Sequence, residues 1–483
     1  MSAVLQGGLH PQSWRLTASV CLGLAALVLV PALWTPVHVL LVAGAILVGT
    51  AVVFSVRRSL VALVLMTTAL PAHLIDSTAL PLGMRPEEIL LAAAFVFAFM
   101  DLVHVRGLNF CRVRPDGLVY AFLFVASISM LVGFYHGNEP SVVLRNGRYA
   151  FYYAAFLLTV QAVDSRTAVR VFVPLFVVAG LAVSAEYILQ FVAGTGSSVS
   201  GEFVRLGRRQ GVFLPVSLLL LANVLLHDPK RWGRVLPFGL FLVMGVAFAL
   251  TLGRGMWVSF ALGLIASVWL REAGLPAWRR RMWRPVAIAV SLLVVLVGAI
   301  LFFQRLTGAA ISAHAVERSR TFVDYTRDVQ VLGRILNYAN ALEAIAEHPI
   351  LGNGQGTTLT SYSFDPDTGR FGTWTSWTVD SLYLTLWLKL GLAGLVVFPA
   401  LCLGVLRRSR AAFMRATDPS TRAFTAAGVA IVLAMLVLGL SDGSMLNGRF
   451  ALVFAILFGL LSRVAAEVLD GPAAPTTQPE GPT

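Results

Sequence analysis

The sequence predicts an all-α polytopic membrane helix bundle, of about 12–14 transmembrane helices, with one large loop domain on its outer side. Three observations carry that expectation. Hydrophobic residues make up 57% of the 483 residues, charged residues only 13%, and the mean hydropathy is +0.79. A water-soluble core of this size needs a mostly polar exterior, and this chain lacks the residues to build one. Apolar runs close to bilayer thickness recur along the chain, and the basic residues between them are distributed unevenly.

The runs lie at 16–34, 37–56, 59–75, 87–104, 118–134, 149–163, 169–193, 212–227, 235–252, 255–271, 285–303, 381–405, 423–441 and 449–467. If two of the weaker runs are re-entrant, the number of spans falls from about fourteen to about twelve. Arg15 precedes the first run, which is longer than a signal-peptide core and has no small-x-small cleavage site, so it reads as a retained span. The organisation that follows is an N-terminal transmembrane bundle over 1–304, a partly helical loop domain over 305–380, C-terminal transmembrane helices over 381–470, and a Pro-rich, disordered tail over 471–483. Cys21, Cys111 and Cys402 fall in or beside apolar stretches at unrelated spacings, which indicates neither a zinc site nor a disulfide framework.

With a cytoplasmic N-terminus, the cytoplasmic loops collect Arg57, Arg58, Lys230, Arg231, Arg279, Arg280, Arg281, Arg407, Arg408 and others, and the 305–380 segment lies outside. Most of the net charge of +13 is this orientation signal, so it calls for no nucleic acid partner. Topology does not explain Arg85, Arg145, Arg148, Arg205, Arg208, Arg209, Arg254 and Arg449, which fall on the other side and include no lysine. Arginine presents a planar fork that grips phosphate or carboxylate by two bonds, as holding a lipid-linked diphosphate at the membrane surface requires. Headgroup snorkelling and ion pairs with Asp76, Glu139 or Glu202 are the bland alternatives.

Local patterns sharpen the candidates. In "RNGRYAFYY", Arg145, Arg148, Tyr149 and Tyr152 share one helical stripe. Arg254 is flanked by Gly253 and Gly255, where missing side chains let a ligand approach the backbone. Val331, Ile335, Tyr338, Leu342 and Ile345 recur at helical spacing, with Arg334 beside the stripe and Pro349 beyond its end. The glycines at 352, 354 and 356 can form a turn offering backbone N–H groups to an anion, and His348 stands next to it, at a helix end or at a catalytic position. Asp380 opens the apolar run at 381–405. It reads either as a reactive carboxylate or as an N-cap alongside Ser381. Lys389, inside that span, is expected to face the protein interior or to snorkel.

The run "RILNYANALEAIAEHPILGNGQG", followed by a polar stretch and "DSLYLTLWLKLGLAG", resembles the signature region of the O-antigen ligase and O-antigen polymerase superfamily. "RRQGVFLPVSLLLLANV" and "TLGRGMWVSF" are similar more loosely, with Gly253 where the family's Ser-Arg-Gly element has Ser. The resemblance implies a metal-independent GT-C type glycosyltransferase of the bacterial inner membrane, with no cofactor and its active site on the periplasmic side. It implies as donor a glycan on undecaprenyl diphosphate, within membrane lipid, and a chain-length regulator protein as a further partner. Catalysis then falls to Asp380, Arg254, Arg334 and His348, and diphosphate binding to Arg145, Arg148, Arg205, Arg208, Arg209 and Arg254. The ligase pattern is His, then Asn or Ser, nine residues and Gly-x-x-Gly; here Asp380, Ser381, Gly391 and Gly394 keep the spacing and replace the histidine. That departure favours a polymerase of lipid-linked repeats over a ligase acting on lipid A-core or protein. A flippase would place charge along a central cavity, whereas these cations gather on one side.

Overall fold

In hydrocarbon every backbone N–H and C=O must be bonded within the protein, and the apolar runs accordingly fold as helices. The computed structural model describes residues 56–69, 85–104, 113, 115–193, 197–200, 203–205, 211–228, 235–251, 253–273, 298, 301, 305, 329–365 and 370–471. The expected spans 16–34, 37–56 and 285–303 fall almost entirely outside these residues, as do the tail beyond Gly471, Arg208 and Arg209.

The described helices are α1 (Val56–Thr68), α2 (Pro86–His104), α3 (Asp116–Tyr135), α4 (Pro140–Phe151), α5 (Ala155–Ala162), α6 (Ser165–Val192, with a π-helical turn at Ala168–Phe172), α7 (Phe213–His227), α8 (Val235–Leu250) and α9 (Arg254–Ala273). They continue with α10 (Val329–Glu347), α11 (Leu382–Arg415), α12 (Pro419–Leu438) and α13 (Gly448–Asp470). Five of them, α3, α6, α11, α12 and α13, are long and apolar enough to cross a bilayer, and α7 and α8 are shorter apolar helices. The described part of the chain is thus an all-α polytopic membrane bundle.

Burial ranks the helices from centre to perimeter. The apolar window of α13 is 78% buried and that of α12 72%, whereas α3 is only 28% buried and presents Tyr120, Phe124, Leu131 and Tyr135 outward. On a water-facing surface such residues would be a liability; on a lipid-facing one they are the norm. Small residues let the central helices approach closely: Gly180 on α6 faces Ser217 on α7, and Gly263 on α9 lies against the Ala430 carbonyl of α12. Polar side chains link helices inside the bundle, with Ser217 Oγ donating to Phe176 O at 2.8 Å and Asn223 Nδ2 to Ser267 Oγ at 2.8 Å.

Three departures from the expected spans matter. The run at 149–163 is not one helix, because α4 and α5 are separated by a tight 3-10 turn at Tyr152–Ala154. The segment between 305 and 380 holds not only α10 but an antiparallel hairpin, β3 (Leu359–Asp365) with β4 (Arg370–Ser376), paired from Leu359 opposite Ser376 to Asp365 opposite Arg370. A second short hairpin pairs β1 (Ser197–Ser200) with β2 (Phe203–Arg205). Finally, α11 is broken at Gly391, whose φ of 66° and ψ of −166° suit glycine alone.

That break seats the glycine-rich turn. Asn353 N donates to Leu388 O at 2.7 Å, Leu392 N to Ile350 O at 3.0 Å and Gln355 N to Ser129 O at 2.9 Å, so the turn is stitched to α11 on one side and α3 on the other. Gly352 N donates to His348 O at 2.8 Å. The N–H groups of Gly352, Asn353 and Gln355, expected to be offered to an anion, are thus bonded within the protein, and the turn is a wedge between two helices. Gly354 packs directly on the backbone of Gly133, where a side chain on either would collide with the other strand of chain.

Candidate functional site

At the end of the bundle carrying α10 and the hairpin, four chain segments meet around the start of α11. Ser381 is its N-cap, with extended φ and ψ of −152° and 128°, and its Oγ accepts from Leu384 N at 3.4 Å. The first helical N–H, of Leu382, donates to Gly439 O at the end of α12 at 2.8 Å. With the cap supplied by Ser381, the side chain of Asp380 is left for another purpose. It is 56% exposed and pairs with Arg334 on α10, Nε to Oδ2 at 3.5 Å.

Tyr338, one helical turn after Arg334, secures the arrangement from the backbone. Its phenol donates to Asp380 O at 2.8 Å and lies 3.3 Å from Leu440 O in the turn after α12. Burial raises this phenol above its ordinary value; Arg334 opposes the shift, and the carboxylates of Asp380 and Asp442 add to it. Tyr338 therefore stays protonated at neutral pH and keeps its proton to donate. Asp442, whose Oδ1 accepts from Ser444 N at 2.7 Å, brings a second carboxylate to this turn.

The start of α9, at Arg254, lies in the same region. Gly255, next to it, lies against Ser441 Oγ and Leu438 Cδ1, which puts the start of α9 on the turn that Tyr338 touches. Tyr338, the start of α11 and the N-terminus of α9 thus meet at the 438–442 turn, with Arg334 beside Asp380.

The arginine stripe on α4 divides. Arg145 turns toward the start of α11, with its Cζ 4.3 Å above the ring of Trp377, three residues before Asp380. Arg148 turns the other way, donating from Nη1 to Glu88 Oε2 at 2.8 Å, and Tyr152 donates to Glu88 Oε1 at 3.0 Å. Tyr149 lies under Arg85, 5.7 Å from its ring centroid, and is 5.9 Å from the ring of Tyr152. Ion pairing inside the protein, the bland reading, describes Arg148. Arg148→Ala is expected to lower stability by about 2 kcal/mol, because it removes the cation paired with the mostly buried Glu88 carboxylate. A thermal melt of the variant checks the loss.

His348 stands apart from Asp380. It follows α10 at the end opposite Arg334, fourteen residues and about 21 Å along the helix axis, and its exposed ring stacks on His136 with centroids 4.4 Å apart. Arg205 closes β2, and the described structure gives its backbone only.

Sequence reading placed Tyr338 in an apolar stripe and passed over Asp442 and Trp377. The signals available were a lone phenol among aliphatic positions and the polar turn "SDGSMLNGR" between two apolar runs. No group of three or more metal-binding side chains occurs among the described residues.

The helical bundle, with five helices long and apolar enough to cross a bilayer among the described residues, defines a multi-pass membrane protein. A family model described as O-Antigen ligase matches residues 239–398, and over that stretch the chain is similar to that family. The matched stretch holds Arg254, Arg334, His348, Trp377, Asp380 and Gly391, while α4 and Asp442 lie outside it. No curated protein matches the sequence.

Proposed function

We propose that this protein polymerises glycan repeats carried on undecaprenyl diphosphate, at the periplasmic face of the bacterial inner membrane. The observation that carries this reading is the Arg334–Asp380 pair at the mouth of α11, where Tyr338 bonds the Asp380 carbonyl. In the proposed step a hydroxyl at the non-reducing end of an acceptor repeat attacks the anomeric carbon of the donor. A new C–O bond forms, the bond from that carbon to the diphosphate oxygen breaks, and the hydroxyl proton passes to Asp380. Arg334 fixes the direction of the carboxylate. Arg254, at the rim, meets negative charge as it builds on the leaving diphosphate. Arg145 and the arginines between 205 and 209 are further candidates for that role; Arg148, bonded to Glu88, serves it only indirectly.

The ligase reading keeps the same donor and leaving group and changes the acceptor to lipid A-core or a protein. The description of the matching family favours it, whereas the carboxylate at position 380 favours the polymerase. Loss of the gene decides between them on a gel of surface glycans. A polymerase defect leaves core bearing a single repeat. A ligase defect leaves bare core, with long chains retained on the lipid carrier. A flippase would move lipid-linked substrate across vesicles without lengthening it.

A further inference from the structure

The hairpin of β3 and β4 is pinned to α10 through its first strand. Asn337 clamps Tyr362 by two bonds, accepting from its N–H at 2.7 Å and donating to its carbonyl at 3.4 Å, and Asn340 Nδ2 donates to Thr360 O at 2.9 Å. β3 is thus fixed to the helix that carries Arg334 and Tyr338, and β4 is the outer strand of a two-stranded sheet. On it Thr373, Trp374 and Thr375 are exposed, Trp374 by 58%. After β4 the chain bends, with Ser376 Oγ donating to Thr378 O at 2.7 Å and accepting from Thr378 N at 3.2 Å. In this bend sits Trp377, 40% exposed and three residues before Asp380, a stretch of chain that reaches no more than about 11 Å.

Large exposed apolar groups mark surfaces that meet something. Hydrocarbon does not account for Trp374, because the unpaired N–H and C=O groups along the outer edge of β4 would find no partner there. Trp377 is also held in place: Arg145 Cζ lies 4.3 Å over its ring, a cation–π contact that fixes the indole. A side chain fixed before its ligand arrives loses little freedom on binding. Between Phe371 and Val379 the chain carries no charged residue, so the groups on offer beside the two indoles are threonine hydroxyls and backbone. A pyranose matches that set. Its C–H face stacks on the electron-rich face of an indole, and its hydroxyl rim exchanges hydrogen bonds with neutral donors and acceptors.

We infer that Trp374 and Trp377 form a sugar-stacking subsite that takes a glycan chain and leads it to Asp380. With the reacting hydroxyl of the acceptor at Asp380, the sugars behind it lie along Trp377 and then Trp374. Calling that glycan the acceptor rests on the transferase reading; the subsite itself rests on the two exposed indoles and their nearness to Asp380 in the chain.

The test captures the full-length protein in phosphatidylcholine nanodiscs on a sensor surface and measures binding of the soluble polysaccharide released by mild acid from cells that carry the gene. Saturable binding is expected, weakened at least about tenfold by Trp377→Ala and by Trp374→Ala, and retained in Trp377→Phe and Trp374→Phe, which keep an aromatic face. Trp374→Ala should melt as the wild type does, which separates a lost contact from a lost fold, whereas Trp377→Ala also releases Arg145. The subsite is disproved if the wild type binds no glycan, or if both alanine variants bind as the wild type does; the second result gives the indoles to lipid headgroups, or the free edge of β4 to a protein strand. The same preparation from cells lacking the gene keeps the two readings apart. If deletion leaves every surface glycan unchanged while binding still depends on both indoles, the transferase reading falls and the subsite stands. If deletion shortens the glycans while neither alanine variant alters binding, the subsite alone falls.

Discussion

Asp380→Asn is expected to lower the rate of chain extension by about 10²- to 10⁴-fold while leaving the thermal melt within a degree or two of the wild type, because the amide preserves shape and removes only the proton acceptor. The melt should hold because the contacts that secure this corner come from elsewhere: the Ser381 cap, the Leu382 bond to Gly439, and the Tyr338 bond to the Asp380 carbonyl, not to its carboxylate. Arg334→Ala should act in the same direction with a smaller effect, as a residue that orients the carboxylate. The assay is extension of a synthetic undecaprenyl diphosphate repeat by purified protein. Product of normal length from Asp380→Asn would remove this carboxylate from the mechanism.

Gly391→Ala is expected to be the most damaging single substitution for stability, costing roughly 3 kcal/mol or more. Two separate penalties combine there. The backbone conformation is one that only glycine occupies without strain, and a Cβ would overlap the carbonyl of Ile350 in the wedge. Relief requires the wedge to back out, breaking the Asn353–Leu388 and Leu392–Ile350 bonds and leaving backbone groups unpaired at membrane depth. Fluorescence-detected gel filtration of the detergent-extracted variant should show a lower unfolding temperature and a larger aggregated fraction. An alanine variant that melts like the wild type would mean that the break in α11 is dispensable.

Much of the bundle was legible because the bilayer imposes a simple length and polarity rule. The run at 381–405 begins within a residue of α11, and 449–467 falls inside α13. The rule says nothing about interruptions. Gly391 stood out only as part of a spaced motif, since its left-handed backbone follows from the approach of a distant turn that no local pattern announces. The hairpin was missed for a related reason: "LTSYSFD" and "RFGTWTS" alternate only weakly, and pairing with each other stabilises them more than either pattern does. In the site, the charges at Arg334 and Asp380 were readable as charges, and their distance of 3.5 Å was not. The four residues of the α4 stripe share a face in any helix, so the sequence could not foresee that Arg145 and Arg148 reach in opposite directions toward Trp377 and Glu88.

The enclosure of α12 and α13 has a bearing on biogenesis. These helices follow the others in the chain, yet they are the ones the others surround. During synthesis the earlier segments must therefore wait in the lipid with their inward faces unmatched, and the assembly can lock only after the most central pieces have been delivered. Ribosomes that stall before Pro419 would release a product with a hollow middle, a natural target for membrane proteases.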